Sequence, residues 1–193
     1  NRQIVSNNKS NKIGSMLADG AIKLEAAGVD FIVMPCNTAH MFSDDVKAEI
    51  NIPFIDIVDE TINEITEYFS DKVSIGIMAT TACINAKIYQ EGLSHKGKTC
   101  LLPDNHYQDE CMKGIFSIKE GSNLLDPSVT LSSVANHLVD KGAEIIIAGC
   151  TEIPLVLENK DLEVPLVSST EVLAIKTIEY ANHLTIKRNY NKE

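Results

Sequence analysis

The chain has no run of apolar residues that approaches the ~20 needed to span a bilayer. Its first residues, Asn-Arg-Gln, do not have the form of a signal peptide, and no tract is of low complexity. The 193 residues are 44% hydrophobic, enough to bury a sizeable core in one or two small lobes. We therefore expect a soluble globular protein without a membrane partner.

Positive charge is also scarce. The chain carries 27 acidic and 17 basic side chains, a net charge of -10, and no dense stripe of Lys and Arg. Non-specific binding to nucleic acid or anionic lipid is therefore not expected. Since the overall field repels anions, an anionic substrate would need specific cationic or N–H donors inside its site.

Paired cysteines are missing as well. The five cysteines, an odd number, contain no Cys-x-x-Cys pair: Cys36, Cys83, Cys100, Cys111 and Cys150. This usage predicts free thiols, no disulfide and a reducing, cytoplasmic compartment.

What the chain does contain is an internal repeat. The apolar stretch 30–36 ends in Cys36, and 144–150 ends in Cys150 in the same way. A glycine stands at the same offset before each cysteine and a threonine follows soon after each, which indicates two related halves. If the halves pack about a pseudo-twofold axis, the two cysteines face each other across one cleft.

Strand and helix patterns alternate along the chain, which predicts a parallel α/β sheet layered on both faces. We expect helices over 84–93 and 127–141, and a capping box of Ser168 with Glu171. Polar turns follow the apolar strands, where open parallel sheets place their chemistry.

The predicted architecture has two pseudo-symmetric lobes, each a mostly parallel sheet flanked by helices, with the site between them. The first lobe comprises 1–68 plus 169–193, and the second 69–168. Strand 73–78 precedes Cys150 in the second half, so its counterpart in the first half would lie before Asn1. We therefore expect that an opening strand, turn and helix are absent from this chain.

Two motifs carry a resemblance to a known family. The stretches 34–40 (Met-Pro-Cys-Asn-Thr-Ala-His) and 149–152 (Gly-Cys-Thr-Glu) together resemble the aspartate/glutamate racemases that work without pyridoxal phosphate. Glutamate racemases usually carry histidine after the second Cys-Thr, so Glu152 is more similar to the aspartate branch. The resemblance implies two α/β lobes with the substrate between them, no cofactor and a homodimer.

Inversion of an α-carbon needs one group to remove its proton and another to return a proton on the opposite face. Cys36 and Cys150 can do this if one is thiolate and the other thiol. Each is predicted where a strand meets a helix N-terminus, a setting that lowers a cysteine pKa into the ~3.5–7.5 range. We expect both cysteines to be catalytic.

Small polar residues beside these turns are candidate substrate ligands. Their hydroxyl, amide and backbone donors suit an amino acid's carboxylate; they are Asn37, Thr38, Thr80, Thr81 and Thr151. The resemblance further implies Arg2 and Lys119 as cationic anchors for a second carboxylate.

His40 and Glu152 are expected to support the cysteines. His40 follows Cys36 at helical spacing, but no further ligands cluster nearby, so a metal site is not expected. Ala82 and Cys83 stand where the family usually has Gly-Thr, which leaves substrate choice open.

These features predict a cofactor-independent amino-acid racemase, with aspartate as the first candidate substrate. Glutamate or a broad range of amino acids stays open, as do other reactions of the racemase superfamily. A non-catalytic protein that binds an acidic metabolite is a further alternative, which Ala82 and Cys83 keep open.

Overall fold

The computed structural model of the chain describes residues 7–121 and 125–182. The helices in these residues are α1 (Asn7–Ala26), α2 (Ser43–Lys47), α3 (Ile57–Tyr68), α4 (Thr81–Asn85), α5 (Gln90–His95), α6 (Asn105–Lys119), α7 (Leu125–Asp140) and α8 (Ser169–Asn182). The strands are β1 (Ile32–Val33), β2 (Phe54–Ile55), β3 (Ser74–Ala79), β4 (Thr99–Leu101), β5 (Ile145–Gly149) and β6 (Leu166–Ser168). Short 3-10 helices cover Asn37–Phe42, Ile153–Leu155 and Asn159–Asp161.

The strands form two parallel sheets, as the alternating pattern predicts. β1 pairs with β2, and the larger sheet has the order β4-β3-β5-β6. Because parallel strands end at the same edge, the turns after β3 and β5 lie side by side. Cys150 follows β5 directly, and Thr80 follows β3.

Along each strand of the larger sheet, side chains point alternately to its two faces. Helices cover both faces, so both are buried. One face joins β2, α3 and α8 in a core cluster that includes Ile55, Ile65, Ile77, Ile147 and Val172. The other face packs under α6 and α7 in a cluster that includes Met78, Ile115, Leu131 and Ile146. The first cluster contains residues of both sheets, so it holds the two sheets together.

The helix expected over 84–93 is wrong as one element. It is divided into α4 and α5, and Lys87 between them has a left-handed φ of 55°. α4 also begins earlier than expected, because the hydroxyl of Thr80 accepts the N–H of Cys83 and caps the helix.

Other boundaries moved less. α7 begins at Leu125 rather than at Pro127. The Glu171 N–H donates to Ser168 Oγ at 3.2 Å, which confirms one of the two hydrogen bonds of the expected capping box, and the bond between the Glu171 side chain and the Ser168 N–H stays a prediction. In the described part of the chain, no helix has the length and apolar content to cross a membrane. The proposed division into 1–68 plus 169–193 and 69–168 stays a prediction.

The contact between α6 and α7 depends on a glycine. A Cβ built on Gly114 of α6 would stand 2.9 Å from Leu131 Cγ and Cδ2 of α7. Leu131 is fully buried and cannot move aside freely. The absence of a side chain at Gly114 therefore sets how closely the two helices approach.

We expect Gly114→Ala to lower the free energy of unfolding by about 1–3 kcal/mol, because it overpacks this contact. The matched control is Gly20→Ala in α1, where an added Cβ meets nothing within 4 Å. That change should raise stability by about 0.5–1 kcal/mol, since alanine is the better helix former. Urea unfolding measures both, and a neutral or stabilising Gly114→Ala would contradict the packing argument.

Candidate active site

A cleft of about 360 Å³ opens at the carboxyl edge of the strands. This volume lies within the range of about 300–1,000 Å³ common for small-molecule sites. It is lined by Pro35, Cys36, Asn37, Thr38, Thr80, Ala82, Met112, Ile115, Phe116, Lys119, Cys150, Thr151 and Glu152. The structure thus brings Cys36 and Cys150, far apart in the chain, into one cleft.

The turn after β1 holds the backbone of Cys36 in an extended conformation, with φ of -153° and ψ of 104°. The Cys36 N–H donates to the Met34 carbonyl at 2.8 Å, and the Cys36 carbonyl accepts from the Ala39 N–H at 3.2 Å. The side chain is partly exposed in the cleft.

His40 supports this turn from beneath. Its Nδ1 lies 2.9 Å from the Cys36 carbonyl oxygen, which only accepts, so Nδ1 carries the proton. Its Nε2 accepts the Ile57 N–H at 3.3 Å. Burial lowers the pKa of His40, against a smaller opposing effect of the Asp56 charge. A neutral His40 therefore ties the Cys36 turn to the start of α3.

Cys150 has a different environment. Its Sγ donates to Glu152 Oε2 at 2.9 Å, and the Thr151 hydroxyl donates to the same oxygen at 3.1 Å. Lys119 Nζ lies 3.4 Å from Glu152 Oε1. Burial opposes ionisation of Glu152, yet the hydrogen bond from Cys150 and the charge of Lys119 lower the pKa of Glu152 overall. Glu152 is therefore an ionised carboxylate shared by three donors.

The expected lowering of both thiol pKa values is wrong for Cys150. Burial and then the neighbouring Glu152 carboxylate raise the pKa of the Cys150 thiol far above its ordinary value. The 3-10 helix after it, Ile153–Leu155, has only one turn, too short for a substantial dipole. Cys150 is accordingly a protonated thiol.

Three of the four candidate threonines line the cleft and one does not. Thr38 Oγ1 and Thr80 Oγ1 lie 2.7 Å apart and connect the turns after β1 and β3 across the cleft. Thr151 lines the cleft beside Cys150. Thr81 does not line it: its side chain is exposed, and its hydroxyl accepts from Gln108 Nε2 at 3.2 Å.

Asn37 lies at the floor of the cleft, and only 2% of it is exposed. Its Nδ2 donates to Ser169 Oγ at 3.0 Å, and its Oδ1 accepts from the Tyr89 hydroxyl. Ser169 Oγ in turn donates to the Ala148 carbonyl of β5 at 2.9 Å. The side chain expected to hold substrate therefore joins the two cysteine-bearing turns.

Sequence reasoning missed Tyr89 and Ser169, because nothing in the local pattern indicates that they meet Asn37. It also missed Met112, Ile115 and Phe116 of α6, which line the cleft with Lys119. Their spacing of i, i+3, i+4 and i+7 was a usable signal for one helix face.

Cys83 lies outside the cleft. It is 1% exposed, and burial raises the pKa of its thiol to about 12, with a smaller effect of Cys36. Its neighbour Ala82 lines the cleft. The replacement of the usual threonine by Cys83 therefore fills the core rather than contributing a donor to the site.

Arg2 falls outside the described residues. Across 7–121 and 125–182, no three His, Cys, Asp or Glu side chains gather closely enough to hold a metal ion.

Comparison with known proteins identifies relatives of this chain. The profile of the Asp/Glu/Hydantoin racemase family matches residues 3–177. The broad specificity amino-acid racemase of Bacillus subtilis is 35% identical over 162 residues, which cover 84% of this chain and 69% of that protein. A glutamate racemase of Aquifex pyrophilus is 30% identical over 158 residues, covering 79% of this chain and 59% of that protein.

Solved structures of racemases are also similar to this chain. The aspartate racemase of Picrophilus torridus superposes with a TM-score of 0.76 and 26% identity, over 86% of this chain and 68% of that one. An aspartate racemase homologue of Pyrococcus horikoshii gives a TM-score of 0.75 and 29% identity, over 87% and 74% of the two chains.

We expect Glu152→Gln to lower the pKa of the Cys150 thiol, because the change removes the carboxylate that opposes its ionisation. Alkylation by iodoacetamide, followed at Cys150 by peptide mass spectrometry, should then become faster near pH ~8.5, the pKa of a free thiol. Glu163→Gln, an exposed carboxylate away from the cleft, is the control. Equal alkylation rates in wild type and Glu152→Gln would contradict this assignment.

His40 should make stability depend on pH. Its pKa is lower folded than unfolded, so its contribution is complete above pH ~6.5 and is lost as the pH falls through the folded value. Each unit of difference corresponds to about 1.4 kcal/mol. His40→Asn can keep the donor to Cys36 but cannot titrate, so its unfolding free energy should fall less than wild type between about pH 7.5 and 5.5.

Urea unfolding across that interval measures the difference. His95→Asn is the matched control, since His95 is exposed at the end of α5. Parallel curves for wild type and His40→Asn would show that His40 is not the titrating group.

Proposed function

The chain belongs to the Asp/Glu/Hydantoin racemase family, and on this premise we propose that it is a cofactor-independent amino-acid racemase in which Cys36 and Cys150 transfer the α-proton. The observation that carries the proposal is that these two cysteines, from separate turns, line the same cleft. Two opposed acid/base groups are what inversion of an α-carbon requires.

The environments of the two cysteines give them different starting roles. Cys150 is held as a thiol by Glu152, so the complementary thiolate is assigned to Cys36. The Cys36 thiolate takes the α-proton, and the electron pair stays on the substrate, delocalised into its carboxylate. Cys150 then gives its S–H proton to the opposite face of the α-carbon.

After this step Cys36 is a thiol and Cys150 a thiolate, the arrangement needed to process the other enantiomer. The Glu152 carboxylate destabilises a Cys150 thiolate, whereas the Lys119 ammonium stabilises it. The starting state returns when Cys36 gives up the proton it took and Cys150 gains one, either through solvent or by turnover of the other enantiomer. Lys119 and Glu152 together set the balance between the two directions.

Hydroxyl groups at the cleft are suited to the substrate's α-carboxylate and to the negative charge that develops on it. Thr38 and Thr80 share a hydrogen bond on one side, and Thr151 lies on the other. In the proposal these three side chains hold the carboxylate. Thr81 is left out because its hydroxyl pairs with Gln108 outside the cleft lining.

The range of substrates is proposed to be wider than aspartate alone. Lys119, expected to hold a second carboxylate, is paired with Glu152, and Arg2 falls outside the described residues. The Bacillus subtilis relative has broad specificity by name. Aspartate as the substrate stays a prediction, to be measured beside other amino acids. The homodimer and the cytoplasmic location also stay predictions.

We expect Cys36→Ser and Cys150→Ser each to lower the rate of racemisation by about 10²–10⁴-fold, the usual contribution of a positioned acid or base. The measurement follows α-proton exchange in D2O by NMR and optical rotation by circular dichroism, with no added cofactor. Cys100→Ser is the control, because Cys100 is half-buried in β4 and does not line the cleft.

Full activity in Cys36→Ser or Cys150→Ser would remove that residue from the mechanism. Amino-acid binding without α-proton exchange would instead favour a ligand-binding homologue or another reaction of the superfamily.

A further inference from the structure

One wall of the cleft is made by α6 and is mostly apolar. Met112, Ile115 and Phe116 line it, with Lys119 one turn further on. Ile115 is fully buried, whereas Phe116 is 39% exposed. No part of the proposed proton transfer uses Met112 or Phe116.

This wall is held in place before any substrate binds. The opposite face of α6 is buried against α7, where Gly114 allows close contact with Leu131. Met112 is anchored from the other side, because its Sδ accepts the Thr81 N–H at 3.3 Å. A preformed wall can select among ligands without the cost of ordering itself.

At the Lys119 end of this wall, the positive charge of Lys119 is paired with the negative charge of Glu152. Lys119 Nζ lies 3.4 Å from Glu152 Oε1, and the other oxygen of Glu152 accepts from Cys150 and Thr151. A substrate carboxylate that reached Lys119 would compete with Glu152 and place a second negative charge beside it. An apolar side chain would leave these contacts intact.

The proposed reaction uses the cysteines and threonines of the cleft, and the remaining lining residues outside α6 are Asn37 at its floor, Glu152, and the small Pro35 and Ala82. The α-carbon must lie between Cys36 and Cys150, and the threonine hydroxyls are suited to its carboxylate. The substrate side chain is then directed toward α6.

We propose that the apolar face of α6 is the side-chain subsite, and that Met112 and Phe116 select amino acids with aliphatic or thioether side chains, such as methionine and leucine, over dicarboxylic ones. This inference rests on the proposed function, since it assumes that an amino acid occupies the cleft. It assigns a substrate class to that site.

The test compares methionine, leucine and aspartate as substrates, by α-proton exchange in D2O and by isothermal titration. Wild type should have a kcat/KM for methionine at least ~10-fold above that for aspartate, since a single methylene in an apolar pocket is worth about 10–200-fold. Phe116→Lys should lower the value for methionine by ~10-fold or more and raise that for aspartate.

The matched control is Val129→Lys, which places the same charge at an exposed apolar position of α7 that is 74% exposed and does not line the cleft. It should leave both substrates unchanged. Equal effects of the two lysine variants would overturn the assignment of Phe116 to the subsite.

The outcomes also separate this inference from the proposed function. Racemisation with aspartate preferred over methionine overturns the inference and leaves the racemase standing. Methionine binding that Phe116→Lys weakens, without proton exchange, supports the subsite and rejects the racemase. Failure to bind any of the three amino acids rejects both.

Discussion

The side-chain amide of Asn37 holds the two halves of the cleft in register. It accepts from Tyr89 and donates to Ser169, which donates to the Ala148 carbonyl two residues before Cys150. Each of these groups is buried, and a buried polar group left without a partner costs about 1–3 kcal/mol. The chain can satisfy all of them only when the turn of Cys36 and the end of β5 lie at one defined separation.

That separation matters for the proposed proton transfer, because the rate of such a step depends steeply on geometry. A displacement of ~1 Å between reacting groups can cost ~10²-fold in rate. His40 adds a second constraint, since it ties the Cys36 carbonyl to the Ile57 N–H at the start of α3. The protein thus positions the Cys36 turn through buried amide, hydroxyl and imidazole groups, and burial lowers the pKa of that imidazole.

The two cysteines resemble each other in the chain but not in the fold. A 3-10 helix follows each of them, but Cys36 lies partly exposed, whereas Cys150 is 6% exposed and donates to an ionised Glu152. If the two cysteines had identical surroundings, neither would be favoured as the thiol or as the thiolate. In the proposed mechanism Glu152 holds the proton on Cys150 and Lys119 lowers the cost of the Cys150 thiolate, so Cys150 begins each cycle as the thiol.

The sequence alone determined the parallel α/β architecture, because apolar strands and amphipathic helices have distinct periods, and the repeat predicted that Cys36 and Cys150 share a cleft. It placed Thr38, Thr80 and Thr151 beside one cleft, since turns after parallel strands meet at one edge, and the family resemblance added Lys119. All four line the cleft, and their contact with substrate stays a prediction. Only the tertiary structure decided that Asn37 joins buried partners, that Thr81 turns toward Gln108 and that α6 supplies an apolar wall. These outcomes depend on contacts between segments distant in the chain, and neither local propensity nor spacing encodes which polar groups find each other once water is excluded.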